Sequence, residues 1–288
     1  LYTDAWNPTV IQLRYMAELL GVDIRIGGMW HAGSYDPQDF LGRLIGDKPW
    51  VRHAERSMYA CFDDNFFATQ FHIDMFLDTF KHKGLRNKLV AELIKKGIKD
   101  LSVLDAISKV PRHMFMDSSF IDHAYQDKAF PISSGQTISQ PYTVAFQSQL
   151  LRIKKGDKIL EIGTGSGYQA AVLCEMGVKL YTIERIRELY RKTSVFLPSI
   201  NYYPKKMIYG DGYQGCLDES PYDGIIVTAG ATEVPKNLLS QLKLNGKMVI
   251  PLGDEVQKML LYTKTSDKDY DIKDFGDFQF VPMLKDKI

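Results

Sequence analysis

The sequence predicts an α/β fold: a doubly wound, mostly parallel sheet with an antiparallel C-terminal edge and an extra N-terminal α/β segment. Three observations predict it. From residue 158 onward, apolar strand-like runs alternate with helix-like runs, the pattern of a parallel sheet with helices on both faces. The first of those strands runs into Gly163, Gly165 and Gly167 on alternate positions, the tight turn of a Rossmann-like nucleotide fold. Near the C-terminus, runs 258–263 and 279–282 have no helix between them, which predicts a hairpin at the sheet edge.

The elements follow in order. Residues 9–20 have helical apolar spacing, residues 23–27 read as a strand followed by a loop to Ser34, and residues 64–69 as another strand before a short helix near 71–76. All three tryptophans, Trp6, Trp30 and Trp50, lie in this part. The texture changes near residue 79, so the chain divides into a segment 1–78 and a domain 79–288. Residues 81–88 are basic and read as a solvated lead-in. Helices are predicted over 85–96, ended by Gly97, and over 100–109, followed by Pro111. Residues 112–140 are mostly loop, long enough to expect a functional role. A helix covers 143–151. Then come strand 158–162, helix 167–176, strand 179–184, helix 186–195, strands 206–209 and 223–228, helix 235–242 and strand 246–251.

Bulk properties exclude several classes. The chain has 288 residues, enough for one or two domains, with 45% hydrophobic and 25% charged residues, ordinary for a soluble globular protein. A net charge of +1 offers no basic field for nucleic acid. No apolar run spans a bilayer and no leader pattern is seen, so a membrane partner is not expected. Cys61, Cys174 and Cys216 form no Cys-x-x-Cys pair, which argues against a disulfide framework or a zinc site and for a reducing cytoplasm. No metal is expected, and a monomer is the expected state with oligomers left open. The chain starts at Leu1 rather than Met, so the true N-terminus is expected to be missing.

The glycine turn selects a cofactor class. A dinucleotide site wants Gly-x-Gly-x-x-Gly, whereas here the third glycine comes one residue early and Glu161 precedes the first by two. A carboxylate at the strand end repels a pyrophosphate and suits a cation. S-adenosylmethionine carries a sulfonium and an ammonium, so it is favoured over NAD. Glu184 ends the second strand about 20 residues past the glycines, where an acid can bind both ribose hydroxyls. Asp211, between Gly210 and Gly212, ends the third strand and can reach the adenine edge.

From about Thr79 to Met283 the chain resembles the protein-L-isoaspartate O-methyltransferases. The stretches that carry the resemblance are Val110-Pro-Arg-His-Met-Phe115, Ala124-Tyr-Gln-Asp127, Gly135-Gln-Thr-Ile-Ser-Gln-Pro141, Leu160-Glu-Ile-Gly-Thr-Gly-Ser-Gly-Tyr168, Gly210-Asp-Gly212, Tyr222-Asp-Gly-Ile-Ile-Val-Thr-Ala-Gly230, Leu239-Ser-Gln-Leu-Lys-Leu-Asn-Gly-Lys-Met-Val-Ile-Pro251 and Phe280-Val-Pro282. The glycine turn is shared by many S-adenosylmethionine methyltransferases; the Gln-Thr-Ile-Ser-Gln-Pro stretch is specific to this family. The resemblance implies methylation of the α-carboxyl of L-isoaspartyl residues in damaged proteins, after which the ester closes to a succinimide whose hydrolysis returns some aspartate. It implies Ser139 as the active-site residue, hydrogen-bonded to the isoaspartyl carboxylate, with Thr137, Ile138 and Gln140 along the same loop and closing over the cofactor, Gln140 also on the substrate side. Gly163, Thr164, Gly165 and Gly167 would approach the cofactor's methionyl end, Glu161 its amino group directly or through water, Glu184 the ribose, and Asp211 with Gly212 the adenine. Val281 would offer backbone hydrogen bonds to the peptide substrate. His113 and His123 read as structural, because this reaction needs no base. Transfer to another acceptor stays open.

Residues 1–75 fall outside that pattern. They resemble a fragment of a two-domain glycosyltransferase, on Ile26-Gly-Gly-Met-Trp-His-Ala-Gly33 and Phe62-Asp-Asp-Asn-Phe-Phe-Ala-Thr-Gln-Phe-His72. The sugar-nucleotide half is absent, so an accessory domain, a remnant or a false join of two reading frames is expected rather than an active transferase.

Overall fold

The computed structural model describes residues 2–4, 9–30, 49–67 and 83–288. They fall into two compact units, Leu1–Leu85 and Arg86–Ile288. The expected helix near 71–76, the loop 31–34 and Trp6 lie outside the described residues.

In the first unit, strands β1 (Tyr2–Asp4), β2 (Gly27–Trp30) and β3 (Asp64–Phe67) form a parallel sheet with β2 central. Helices α1 (Thr9–Leu20) and α2 (Pro49–Cys61) belong to the same unit. Val10, Ile26, Trp30, Met58 and Phe62 make its core. The strand expected over 23–27 starts instead at Gly27. A Cβ at Gly28 would sit 2.6 Å from the Phe62 ring, so the alternation is broken by a packing demand for glycine. The helix α2 was not foreseen.

The second unit opens within α3 (Lys83–Lys95), which starts three residues before the boundary, and continues with α4 (Leu101–Lys109). From Lys83 the basic lead-in is thus already helical, and it is not wholly solvated as expected: Lys88 is exposed but Arg86 is buried. Asp100 caps α4, accepting from the Ser102 N–H at 2.9 Å. The long segment before the sheet is not featureless: short 3-10 turns lead to a two-stranded ribbon, β4 (Phe130–Pro131) with β5 (Thr137–Ile138). Pro141 then starts α5 (Pro141–Leu151) at its first turn, where a missing N–H costs nothing.

Seven strands make the main sheet: β6 (Lys158–Ile162), β7 (Lys179–Glu184), β8 (Lys206–Tyr209), β9 (Tyr222–Val227), β10 (Leu242–Leu252), β11 (Gln257–Lys264) and β12 (Tyr270–Phe278). Their spatial order is β12-β11-β10-β9-β6-β7-β8. The five strands from β10 to β8 are parallel, and β11 and β12 add an antiparallel edge. Between them run α6 (Tyr168–Glu175), α7 (Arg187–Ser199) and α8 (Lys236–Ser240). Successive residues Ile159 and Leu160, Ile225 and Ile226, and Met248 and Val249 are all fully buried, so both faces of the central strands are covered. The edge hairpin differs from expectation in its second strand, which is β12 and not 279–282. β12 carries Asp271, Lys273, Asp274 and Asp277 and is largely exposed, so it has no apolar run to read. Such charges suit an edge that must not pair further. Residues 279–282 make only one bridge, Gly230 with Pro282.

Strand order reverses at β6. The chain runs outward through β7 and β8, then returns to β9 on the other side of β6. The loops leaving β6 and β9 therefore diverge and open a crevice at the strands' carboxyl ends. Among the described residues no helix is long and apolar enough to cross a membrane.

Ile225 tests this core. Ile225→Ala should lower unfolding free energy by about 2–5 kcal/mol, as measured by urea titration of the second unit's transition.

Candidate active site

The crevice is a cleft with about 900 Å³ of empty space, part of it open to solvent. Three elements build its floor. The turn after β6 contributes Gly163, Thr164, Gly165 and Ser166, the end of β7 contributes Ile183 and Glu184, and the loop after β9 contributes Thr228 and Ala229. Gln136, Thr137 and Ser139 close one side, and Val281 to Leu284 another.

The turn needs its glycines for stated reasons. Gly163, at φ +95°, has no room for a side chain because a Cβ would lie 2.6 Å from Thr228 Oγ1. Thr228 Oγ1 in turn donates to the carbonyls of Ile162 or Gly163, at 2.9 and 2.8 Å, tying the β6 and β9 loops together. Gly165, at φ +53°, meets nothing nearer than Ile132 at 4.0 Å, so its backbone faces open cleft. The Gly165 N–H donates to Glu184 Oε2 at 2.8 Å, and the Ile186 N–H to Glu184 Oε1 at 2.9 Å. That carboxylate therefore holds the turn while lining the cleft.

Of the expected site residues, Thr137, Ser139, Gly163, Thr164, Gly165, Glu184, Gly212 and Val281 line this one cleft. Five stand elsewhere. Ile138 is buried and anchors the ribbon. Gln140 turns away to Asp127, its Nε2 donating to Oδ2 at 3.0 Å. Gly167 begins α6 at φ +87°, packed against Thr193 and Leu197. Asp211 accepts from the Tyr213 N–H at 2.9 Å and shapes the turn that brings Gly212 to the cleft. Glu161 is fully buried behind Thr164 and does not itself line the cleft. The two histidines are partnered, His113 with the Tyr125 hydroxyl at 2.6 Å and His123 with Gln126 at 2.8 Å, and neither lines the cleft.

Two residues holding the Ser139 loop had no role in the sequence reading. Arg112 is fully buried and donates to the carbonyls of Ala124, Lys128 (2.8 Å) and Ser139 (3.1 Å). Its guanidinium stacks near Tyr168 and Phe130, and burial draws its pKa below the usual arginine value. Asp127 accepts from the Tyr142 N–H, Gln140 and Lys96. Both lie inside quoted motifs, but only the fold brings them together at this loop. The hydroxyl of Ser139 has no protein partner among the described residues.

The donor set decides the ligand class. Glu184 lines the floor, while the one lining cation among the described residues, Arg185, is turned to the Asp286 carbonyl at 2.9 Å. Such a floor repels a pyrophosphate and accepts a sulfonium.

Comparison with known proteins agrees. The family model for protein-L-isoaspartate(D-aspartate) O-methyltransferase matches residues 84–287. The chain belongs to that family. It is accordingly an S-adenosylmethionine-dependent methyltransferase of the protein-repair class. A protein-L-isoaspartate O-methyltransferase from Christiangramia forsetii is 62% identical over 210 residues, covering 73% of this chain and 99% of that one. One from Flavobacterium johnsoniae is 59% identical over the same length and shares. A solved structure from Plasmodium falciparum, assigned to this enzyme and in complex with S-adenosyl-L-homocysteine, has a TM-score of 0.61 at 26% identity. The match covers 71% of this chain and 99% of that one. The first unit lies almost wholly outside the matched residues, and its likeness to a glycosyltransferase has no support from these comparisons.

Arg112→Lys keeps the charge but loses the planar fork that reaches three carbonyls. It should destabilise the second unit by about 1.5–3 kcal/mol for each charged hydrogen bond lost, read by urea titration, and in the folded fraction raise KM for peptide far more than it weakens cofactor binding.

Proposed function

We propose that this cleft holds S-adenosylmethionine and that Ser139 receives the α-carboxylate of an L-isoaspartyl residue beside it. One observation carries the reading: the glycine turn with its carboxylate and the loop bearing Thr137 and Ser139 line the same cleft. Gly163, Thr164, Gly165 and Gly212 would hold the cofactor, and Glu184 would take its ribose hydroxyls with the lone pairs left over from Gly165 and Ile186.

When bound, the cofactor supplies a methyl group already activated on a sulfonium. The chain's own part is to position and to exclude water. The acceptor carboxylate is ionised at neutral pH, so no general base is required. Holding two reactants in line can contribute about 7–11 kcal/mol. The acceptor must be bound without neutralising its charge, and a neutral hydroxyl does this where an arginine would not. Arg112 stands one layer back, on the Ser139 carbonyl, so it orients the loop without touching the nucleophile. The Val281 carbonyl is taken by the Gly230 N–H at 2.8 Å, which leaves the Val281 N–H for an extended peptide. The chain acts as a monomer on damaged proteins in this reading, and residues 1–78 are an appendage to the methyltransferase domain 79–288.

Labelled methyl from S-adenosylmethionine, offered to matched isoaspartyl and aspartyl peptides, should appear as base-labile ester on the isoaspartyl peptide alone. Equal labelling of both would point to another acceptor. Ser139→Ala should lower kcat/KM for that peptide by roughly 10- to 100-fold, the loss of one hydrogen bond to a charged group of about 1.5–3 kcal/mol. Calorimetric affinity for S-adenosylhomocysteine should stay within about twofold; a large loss there would remove Ser139 from the substrate side.

A further inference from the structure

Glu161, which the resemblance places toward the cofactor's amino group, does not line the cleft. It is fully buried on the central strand, in register with Thr182 of β7 on one side and Ile226 of β9 on the other. Its Oε2 is 2.6 Å from Thr182 Oγ1, and Thr182 Oγ1 is 2.6 Å from Thr164 Oγ1. Thr164 lines the cleft. Its other oxygen, Oε1, is buried with no partner. A buried acid left half-satisfied is unusual and asks for an explanation.

The groups facing it are Glu184, the Cys174 thiol on α6, and the two threonines; among the described residues no cation contributes to its field. Burial, with the Glu184 charge adding to it, pushes the Glu161 carboxyl up to about 8, so near neutral pH the acid is mostly protonated when the cleft holds no cation. The three-member chain has two directions. With Glu161 neutral, hydrogen bonds run Glu161 to Thr182 to Thr164, and Thr164 turns its hydrogen to the cleft. With Glu161 ionised they run the other way, and Thr164 turns a lone pair to the cleft.

We propose that Glu161 is a proton-coupled counter-charge for the cofactor: the ligand's cationic methionyl end binds the ionised form, and the proton leaves Glu161 to solvent through Thr182 and Thr164. When the ligand departs, the proton returns along the same hydroxyls. Glu161 is a positioning residue here, because it reaches the cleft only through Thr164. The carboxyl need not stay charged in an empty, dry interior, where a lone charge is costly. It becomes charged only when a cation arrives to stabilise it. This rests on the cofactor placement proposed above.

The test is calorimetric binding of S-adenosylhomocysteine to the full chain at pH 6.5, in two buffers of different ionisation enthalpy. The wild type should release close to one proton per ligand bound. Glu161→Gln, isosteric with the neutral acid, should bind about ten- to a hundredfold more weakly and release almost none. Thr182→Val keeps the acid but removes the hydrogen bond that favours its ionised form, so its proton count should also fall well below one. Equal proton counts in wild type and Glu161→Gln would overturn the proposal, and an unchanged count in Thr182→Val would overturn the relay. Failure of the wild type to bind at all would instead overturn the cofactor placement.

Discussion

Everything at the cleft depends on β6 being hydrogen-bonded on both sides by parallel strands. Parallel pairing forces the carboxyl ends of β6, β7 and β9 to finish at the same level. The reversal of strand order at β6 forces the loops after β6 and β9 apart. A turn that must then start α6 within a few residues leaves no space for side chains at Gly163, and Thr228 Oγ1 fills that space from the neighbouring loop. The cleft is thus a consequence of topology first and of side-chain chemistry second. A one-residue slip of β6 would replace Glu161 at its register position and turn Leu160 and Ile162 to the opposite face.

Much of this was legible because parallel central strands are apolar throughout. The bounds of β6, β7 and β8 are those the periodicity predicts, and the acids that end them are visible as the first charges after apolar runs. The glycine turn and the Ser139 loop were legible as motifs. What was not legible depended on contacts between residues far apart in the chain. Arg112 looks like any charged residue, yet it sits inside and joins carbonyls at positions 124, 128 and 139. Asp211 and Glu161 were read as ligand contacts because acids at strand ends often are. Asp211 accepts from the Tyr213 N–H of its own turn, and Glu161 is buried on the sheet face beside Thr182, where the strand's alternation sends it. β12 escaped because a charged, exposed edge strand has no hydrophobic signature.

The first unit obeys the same rules on a smaller scale. Its three short strands are parallel, and a core of five buried residues around Trp30 holds them. Trp30 also donates its indole N–H to Asn65 at 2.7 Å, so its polar handle is satisfied. Asp63 accepts from the Ile26 N–H and from Arg14, which pins the start of β2 to the turn before β3. Local consistency of this kind is what a folded α/β piece requires. Among its described residues no group of His, Cys, Asp and Glu could hold a metal ion.

On the proposed reading, the electrostatics of the cleft follow from the two ligands it would hold at once. One is a cation, the other an anion, and the reaction brings their charges together and neutralises both. A cleft lined with fixed cations would hold the acceptor well but would compete with the sulfonium for it. A cleft lined with many fixed carboxylates would repel the acceptor. The arrangement here avoids both errors. The carboxylate on the floor, Glu184, is half-satisfied by backbone N–H groups, which spreads its charge over the turn. Glu161 is buried beneath the floor, and the guanidinium of Arg112 is kept one layer behind Ser139. On the proposed reading the acceptor side is left with the Ser139 hydroxyl and backbone groups, which would bind a carboxylate without cancelling the charge that makes it reactive. Since little general base work is needed, rate must come from geometry, and geometry is what a buried arginine on three carbonyls supplies.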